Sequence, residues 1–213
     1  MTARPGPGRA ADREAVIAAQ HAGSDSRVTG APGNPRIQPA VVLIGPPGSG
    51  KSTVGAAISR STGWPLRDVD DNVEKQAGKT ISDIFLDDGE AHFRELEKAA
   101  VAAALATHAG VLSLGGGAIL AAQTRRALAG QMVVFLNLSM PTGVRRTGMA
   151  ANRPLLAGIN PRATYKALLE ARMPLYREVA RYEIQTDDLS AAEVARIVVQ
   201  QLGDSQHDKG EPQ

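Results

Sequence analysis

Gly45-Pro46-Pro47-Gly48-Ser49-Gly50-Lys51-Ser52 matches the pattern GxxxxGK[ST], a spacing suited to wrapping a polyphosphate. Its glycines let successive backbone N–H groups turn inward around an anion, and the helix behind them adds its positive end. Lys51 is then placed to reach the β- and γ-phosphates, and the Ser52 hydroxyl to ligate Mg2+. With glycine at about 7% of positions, the pattern arises by chance in fewer than roughly 1 in 100 chains of this length. The context fits as well: an apolar run, Ala40–Ile44, precedes the loop and a helical stretch, Lys51–Thr62, follows it. These residues imply binding of a nucleoside triphosphate.

The class of nucleotide chemistry is narrowed by what else is present. No Asn-Lys pair occurs, so the guanine-reading NKxD motif of GTPases is missing. The apolar strands end in Leu114-Gly115-Gly116-Gly117 and Leu136-Asn137-Leu138, neither with a carboxylate to close a helicase-type magnesium site. Asp68, beside Asp70 at the end of the second strand, is the best magnesium partner, because ligands gather at the carboxyl ends of strands in open α/β sheets. A solvated turn over Asp68–Asp71 is the competing reading. Gly115-Gly116-Gly117 spend backbone entropy unless something approaches the main chain closely, and their N–H groups suit an anionic or hydroxylated acceptor. A plain turn is the alternative there. Arg94 and Glu97, spaced i,i+3 on one helix, can hold each other in place or merely decorate a solvated face. Arg153 sits in a loop punctuated by Gly148, Pro154, Gly158 and Pro161, as a lid arginine neutralising a transferring phosphoryl group would. Arg172 stands two residues before Pro174, and two arginine forks with backbone donors suit a carboxylate.

The elements that must position these groups alternate. Strands are expected at Ala40–Ile44, Gly110–Leu114 and Met132–Leu138, and more weakly near Pro65–Asp68 and Tyr182–Gln185. Helices are expected at Lys51–Thr62, Gly89–His108, Ala121–Ala129, Arg162–Val179 and Ala191–Leu202. This order predicts an α/β fold with a five-stranded parallel sheet covered on both faces. One domain over 37–202 is expected, between a disordered leader at 1–36 and a disordered tail at 203–213; a short helix over Arg13–Gln20 is conceivable in the leader.

Composition sets further bounds. The 213 residues are 43% hydrophobic and 22% charged, as in globular proteins that bury a full core. Aromatics are only 3%, which disfavours base stacking as the main activity. Residues 1–36 carry five arginines against three acids, which accounts for the whole net charge of +2. The rest is balanced, so no basic nucleic-acid-binding domain is indicated. The absence of cysteine excludes disulfides, iron–sulfur clusters and thiolate chemistry and is compatible with a reducing cytoplasm. Apolar runs are too short to span a bilayer, and the leader lacks a secretory apolar core.

The motifs together resemble the shikimate kinase family over about Ala40 to Leu202. The carriers are Gly45–Gly55 (GPPGSGKSTVG), Asp68-Val69-Asp70, Ile84-Phe85 with Asp88-Gly89-Glu90, Phe93-Arg94 with Glu97, Ser113–Ala118 (SLGGGA), Gly143–Gly148 (GVRRTG), Arg153-Pro154-Leu155-Leu156 and Arg172-Met173-Pro174-Leu175-Tyr176. Only the phosphate loop is specific alone; the order and spacing of the set are specific together. The resemblance implies a three-layer P-loop NTPase fold like that of nucleoside monophosphate kinases, with a mobile lid at about 148–162. It implies a cytoplasmic monomer that moves the γ-phosphate of ATP to the 3-hydroxyl of shikimate, with Mg2+ and without nucleic-acid or membrane partners.

Residue by residue, the resemblance assigns ATP to Pro47, Gly48, Ser49, Gly50, Lys51, Ser52 and Thr53, with Arg146 stacking on adenine and Arg153 on the lid. Ser52 would hold Mg2+, with Asp68 behind it through water. Asp70 would bond the ring hydroxyls, including the attacking one. Arg94, Arg172 and Gly117 would hold the carboxylate and Gly116 a hydroxyl, while Phe85 and Phe93 wall the pocket. Lys51, Asp70 and Arg153 are thereby the expected catalytic residues. Where the family often carries proline after the last strand, this chain has Asp187-Asp188-Leu189-Ser190-Ala191. Competing readings are a sister kinase of gluconate type, a nucleoside monophosphate kinase and a catalytically dead ATP-binding regulator.

Overall fold

The computed structural model describes residues 37–147 and 161–207, together with positions 18 and 19. Positions 148–160 of the expected lid, Arg153 included, lie outside the described residues, as do most of the leader and 208–213.

Five strands run parallel: β2 (Val41–Ile44), β3 (Leu66–Asp68), β4 (Val111–Ser113), β5 (Val133–Asn137) and β6 (Tyr182–Gln185). Their spatial order is β3-β4-β2-β5-β6, with Leu43 level with Ser113 on one side and Val134 on the other. A sixth strand, β1 (Ala18–Ala19), pairs antiparallel with Tyr182 and Glu183. At these two positions strand replaces the helix considered for the leader, because the β6 edge offers unpaired backbone groups that a neighbouring chain can satisfy.

Alternation along the strands builds two cores. Val41 and Leu43 of β2 join Val134 and Leu136 of β5 under α1 (Lys51–Thr62) and α8 (Ala191–His207), packing on Val54, Ile58, Val194 and Val198. The intervening Val42, Ile44, Val133 and Phe135 face the opposite layer. That layer includes α2 (Val69–Ala77), α4 (Gly89–Thr107), α5 (Ala122–Leu128) and α7 (Pro161–Val179), which contribute Val69, Phe93, Leu128 and Tyr176. Strands buried on both faces are why these runs read as continuously apolar rather than alternating. At about 25 cal/mol per Å2 of apolar surface, these two layers supply most of the folding drive.

Three differences from the sequence reading stand out. The stretch Asp68–Asp71 is not a loose turn: Asp68 caps α2, its carboxylate accepting from the Asp70 N–H. Short helices α3 (Ile81–Asp87) and α6 (Met140–Thr147) were not expected; α3 is capped by Thr80, and both are too short for a helical apolar period to stand out. Helix α8 runs through Gly203 to His207, past the expected start of the tail, since a surface glycine costs a helix only about 1 kcal/mol.

Candidate active site

Strand β2 lies between β4 and β5, where the chain reverses its direction of winding across the sheet, and the Gly45–Ser52 loop leaves its carboxyl end there. Gly48 and Gly50 have φ of +82° and +87°, conformations that L side chains resist. Gly50 caps α1 in this left-handed state, so the loop passes directly into the helix N-terminus. The Lys51 ammonium donates to the Gly45 and Pro46 carbonyls at 2.9 and 3.2 Å, folded back over the loop it would share with phosphate. Ser49 is 1% exposed and its hydroxyl has no hydrogen-bond partner among the described residues.

A cleft of about 390 Å3 opens beside the loop, lined by Gly48 to Val54 on one wall and Arg146, Thr186 and Leu189 on the other. Arg146 of α6 spans it: its guanidinium donates to the Thr186 carbonyl at 3.0 Å, the Asp187 carbonyl at 3.3 Å and the Gly48 carbonyl at 3.4 Å. The Asp187 carboxylate accepts from the Ser139 N–H, the Ser139 hydroxyl and the Gln185 amide. Burial would raise its pKa, yet the bonds from Ser139, Thr142 and Gln185 prevail and hold it down at about 2. This carboxylate ties the β6–α8 turn to the start of α6, the helix carrying Arg146.

Asp68 ends β3 with its carboxylate shared between the Ser52 hydroxyl (2.7 Å) and the Ser113 hydroxyl (3.0 Å). Ser52 and Asp68 thus place two hard oxygen donors side by side at the foot of the phosphate loop. Among the described residues no group of three or more His, Cys, Asp or Glu gathers to hold an ion. This donor set fits Mg2+, which keeps several waters and takes its remaining ligands from nucleotide phosphates.

The acceptor side is assembled by α4, α7 and the glycines after β4. Glu97 is 2% exposed and pairs with Arg94 at 2.8 Å, while Arg94 also bonds Glu90 at 2.8 Å. Burial pushes the Glu97 carboxyl up, against the opposing pull of Arg94 and Arg172. Burial would lower the Arg94 pKa, but Glu97 and Glu90 outweigh it and raise it. The Arg94 guanidinium lies 5.1 Å above the Phe93 ring and 6.0 Å from Phe85, and the two rings meet at 4.8 Å. A side chain at Gly117 would run into this guanidinium, so only glycine lets the main chain approach it. Arg172 donates to the Gly116 carbonyl at 3.0 Å and Tyr176 donates to the same atom at 2.6 Å. A Cβ on Gly115 would meet both the Asp70 and the Glu97 carboxylates, and one on Gly116 would lie 3.3 Å from the Gly45 carbonyl.

Lys51, Ser52 and Arg146 line the cleft, and Asp68 reaches it through its bond to Ser52; beside it Arg94 meets Phe85, Phe93 and Gly117, Arg172 meets Gly116, and Asp70 flanks Gly115. Thr53 lines the cleft in the first turn of α1. Sequence reasoning gave no role to Ser113, Thr186, Tyr165 or Tyr176. The scarcity of aromatics was the one usable signal, since Tyr165 and Tyr176 are among three tyrosines and both are buried.

Comparison with known proteins gives a consistent result. A family model described as shikimate kinase matches residues 47–203. The chain is 56% identical over 163 residues to shikimate kinase of Saccharopolyspora erythraea, covering 76% of this chain and 93% of that one. It is 53% identical over 164 residues to shikimate kinase of Streptomyces avermitilis, covering 77% and 95%. Among solved structures, shikimate kinase from Acinetobacter baumannii in complex with shikimate superposes with a TM-score of 0.76 at 36% identity, over 82% of this chain and 96% of that one.

Proposed function

The chain belongs to the shikimate kinase family, and from that premise we propose how its residues divide the work of moving the γ-phosphoryl group of ATP to the 3-hydroxyl of shikimate. The reaction gives shikimate 3-phosphate and ADP, a step toward chorismate and the aromatic amino acids. One observation carries the division of labour: Gly116 abuts the Gly45 carbonyl, so the acceptor cradle and the phosphate loop share a wall. Direct transfer needs the two reacting oxygens in line across such a contact.

ATP lies along the Gly48–Val54 wall, its phosphates on the N–H groups of Gly48–Thr53 and its base against Arg146 and Leu189. Proline has no N–H, so Pro47 contributes to the loop by shape alone. Lys51 exchanges its two carbonyl partners for the β- and γ-phosphates. Ser52, with Asp68 hydrogen-bonded to it, would hold Mg2+, which when bound would neutralise phosphate charge. Arg94, Arg172 and the Gly117 N–H hold the shikimate carboxylate, since planar guanidinium forks match both its oxygens. Gly116 holds a ring hydroxyl, and Phe85 and Phe93 exclude water from one side. Asp70 accepts a hydrogen bond from the attacking hydroxyl and takes its proton as the new O–P bond forms. Arg153, outside the described residues, neutralises the transferring group from the lid.

Two further readings rest on the family and on composition: the enzyme acts as a monomer, and it works in the cytoplasm. Among the described residues no helix is long and apolar enough to cross a membrane. A coupled assay of ADP release from ATP and Mg2+, with shikimate, gluconate and AMP as parallel acceptors, tests the substrate. Turnover with shikimate alone is expected. Turnover with gluconate or AMP in its place would reassign Arg94 and Arg172.

A further inference from the structure

Two buried hydroxyls on α7 have no part in the scheme above. Tyr165 and Tyr176 are 1% and 0% exposed and stand eleven positions apart on the same helix. Eleven positions make about three turns, so both point to one side. Each hydroxyl donates to a main-chain carbonyl. Tyr165 donates to the Pro47 carbonyl at 2.9 Å, and Tyr176 to the Gly116 carbonyl at 2.6 Å. One carbonyl belongs to the phosphate loop and the other to the acceptor glycines, 118 and 60 positions away from their donors.

In a trans peptide the C=O and the following N–H point in opposite directions, and no cis bond occurs among the described residues. Pinning the Pro47 carbonyl toward α7 therefore turns the Gly48 N–H away from α7, and pinning the Gly116 carbonyl does the same for the Gly117 N–H. Both pinned planes are followed by glycine, where a peptide can flip at little steric cost. Gly48 has a φ of +82° already. The packing confirms that the tyrosines are built in rather than incidental. Any side chain at Gly143 of α6 would strike the Tyr165 ring, and Tyr176 stacks on Phe135 of β5 at 4.9 Å.

We infer that Tyr165 and Tyr176 are paired positioning residues, each locking one peptide plane so that the Gly48 N–H faces the nucleotide phosphates and the Gly117 N–H faces the acceptor carboxylate. This rests on the assignment of the two cradles made above. Helix α7 thus aligns one donor in each substrate site from a single rigid element. The two effects differ in size, because the Gly116 carbonyl keeps Arg172 as a partner at 3.0 Å when the tyrosine hydroxyl is lost.

Tyr165→Phe and Tyr176→Phe test this by calorimetric titration of ADP and of shikimate separately, with thermal melts to verify folding. Loss of one such bond predicts about tenfold weaker ADP binding in Tyr165→Phe with shikimate binding within twofold of the parent. Tyr176→Phe is expected to weaken shikimate binding about fivefold with ADP binding unchanged. A merely structural role would lower both affinities together, and that result, or no change in either, overturns the inference. If Tyr176→Phe does not fold, ADP binding to Tyr165→Phe decides alone. A parent protein that binds ADP but not shikimate would instead sink the acceptor assignment, leaving the Tyr165 arm to be judged by ADP.

Discussion

Gly115→Ala perturbs the proposed catalytic carboxylate of Asp70 from the main chain without removing any functional group. Gly115 lies outside the left-handed region, so the backbone itself accepts alanine. The added Cβ would stand 2.5 Å from the Asp70 Oδ1 and 2.7 Å from the Glu97 Oε1, where ordinary contact begins near 3.4 Å. Something must retreat by about 0.9 Å on one side and 0.7 Å on the other. Glu97 is almost fully buried and clamped to Arg94 at 2.8 Å, whereas Asp70 sits in the first turn of α2 with partial exposure. Asp70 therefore takes most of the displacement. A misplacement near 1 Å costs about 10²-fold in rate, or about 2.7 kcal/mol of barrier. Overpacking adds a stability loss of about 1–3 kcal/mol. The assay is kcat at saturating ATP and shikimate, with ADP binding measured by calorimetry as the control. We expect kcat about 10²-fold lower with ADP affinity unchanged. An alanine variant with kcat within threefold of the parent would refute the placement of Asp70 at the reacting hydroxyl.

Three other outcomes are expected. Lys51→Ala lowers kcat by at least about 10²-fold, as loss of a charge-stabilising donor does, with the melting temperature preserved; a fully active variant would contradict the phosphate-loop assignment. Arg172→Ala raises the shikimate KM by about 10²-fold, since a bond to a charged group is worth about 1.5–3 kcal/mol, and spares the ATP KM; equal loss of both would place Arg172 elsewhere in the mechanism. Asp187→Asn concerns a carboxyl depressed to about 2 from 3.8. A depressed pKa adds stability above the unfolded value that disappears as pH falls through the folded one, so the window is about pH 4 to 2. After allowance for solvent screening, the parent should exceed the variant by about 1 kcal/mol at pH 7, and the gap should close toward pH 2. Chemical denaturation of both proteins across that range measures it, and a gap independent of pH would show that the charge of Asp187 is not what holds the turn.

Much of the site was legible along the chain because its chemistry is local. The phosphate loop is eight consecutive residues flanked by a strand and a helix, and its function follows from contiguous backbone N–H groups. Asp68 and Asp70 could be placed at a sheet edge because strand ends in α/β folds collect ligands. Strands β2, β4 and β5 were readable because burial on both faces leaves unbroken apolar runs, whereas the half-buried β3 and β6 gave weaker signals. Helices α2, α3 and α6, of nine, seven and eight residues, were not readable, since two turns carry too little periodic signal.

Other features were decided only when distant segments met. No spacing tells that Glu97 is buried and Arg94 half-buried beneath Gly115–Gly117, or that Asp187 reaches the Ser139 hydroxyl 48 positions away. The tyrosine bonds to Pro47 and Gly116 use main-chain carbonyls, which every residue has, so no residue type marks the receiving end. Sequence specifies which groups can bind phosphate and carboxylate, because that depends on chemical type and short spacing. Their orientation depends on contacts between segments far apart in the chain, and those exist only once the sheet has ordered its strands and the two helical layers have closed over it.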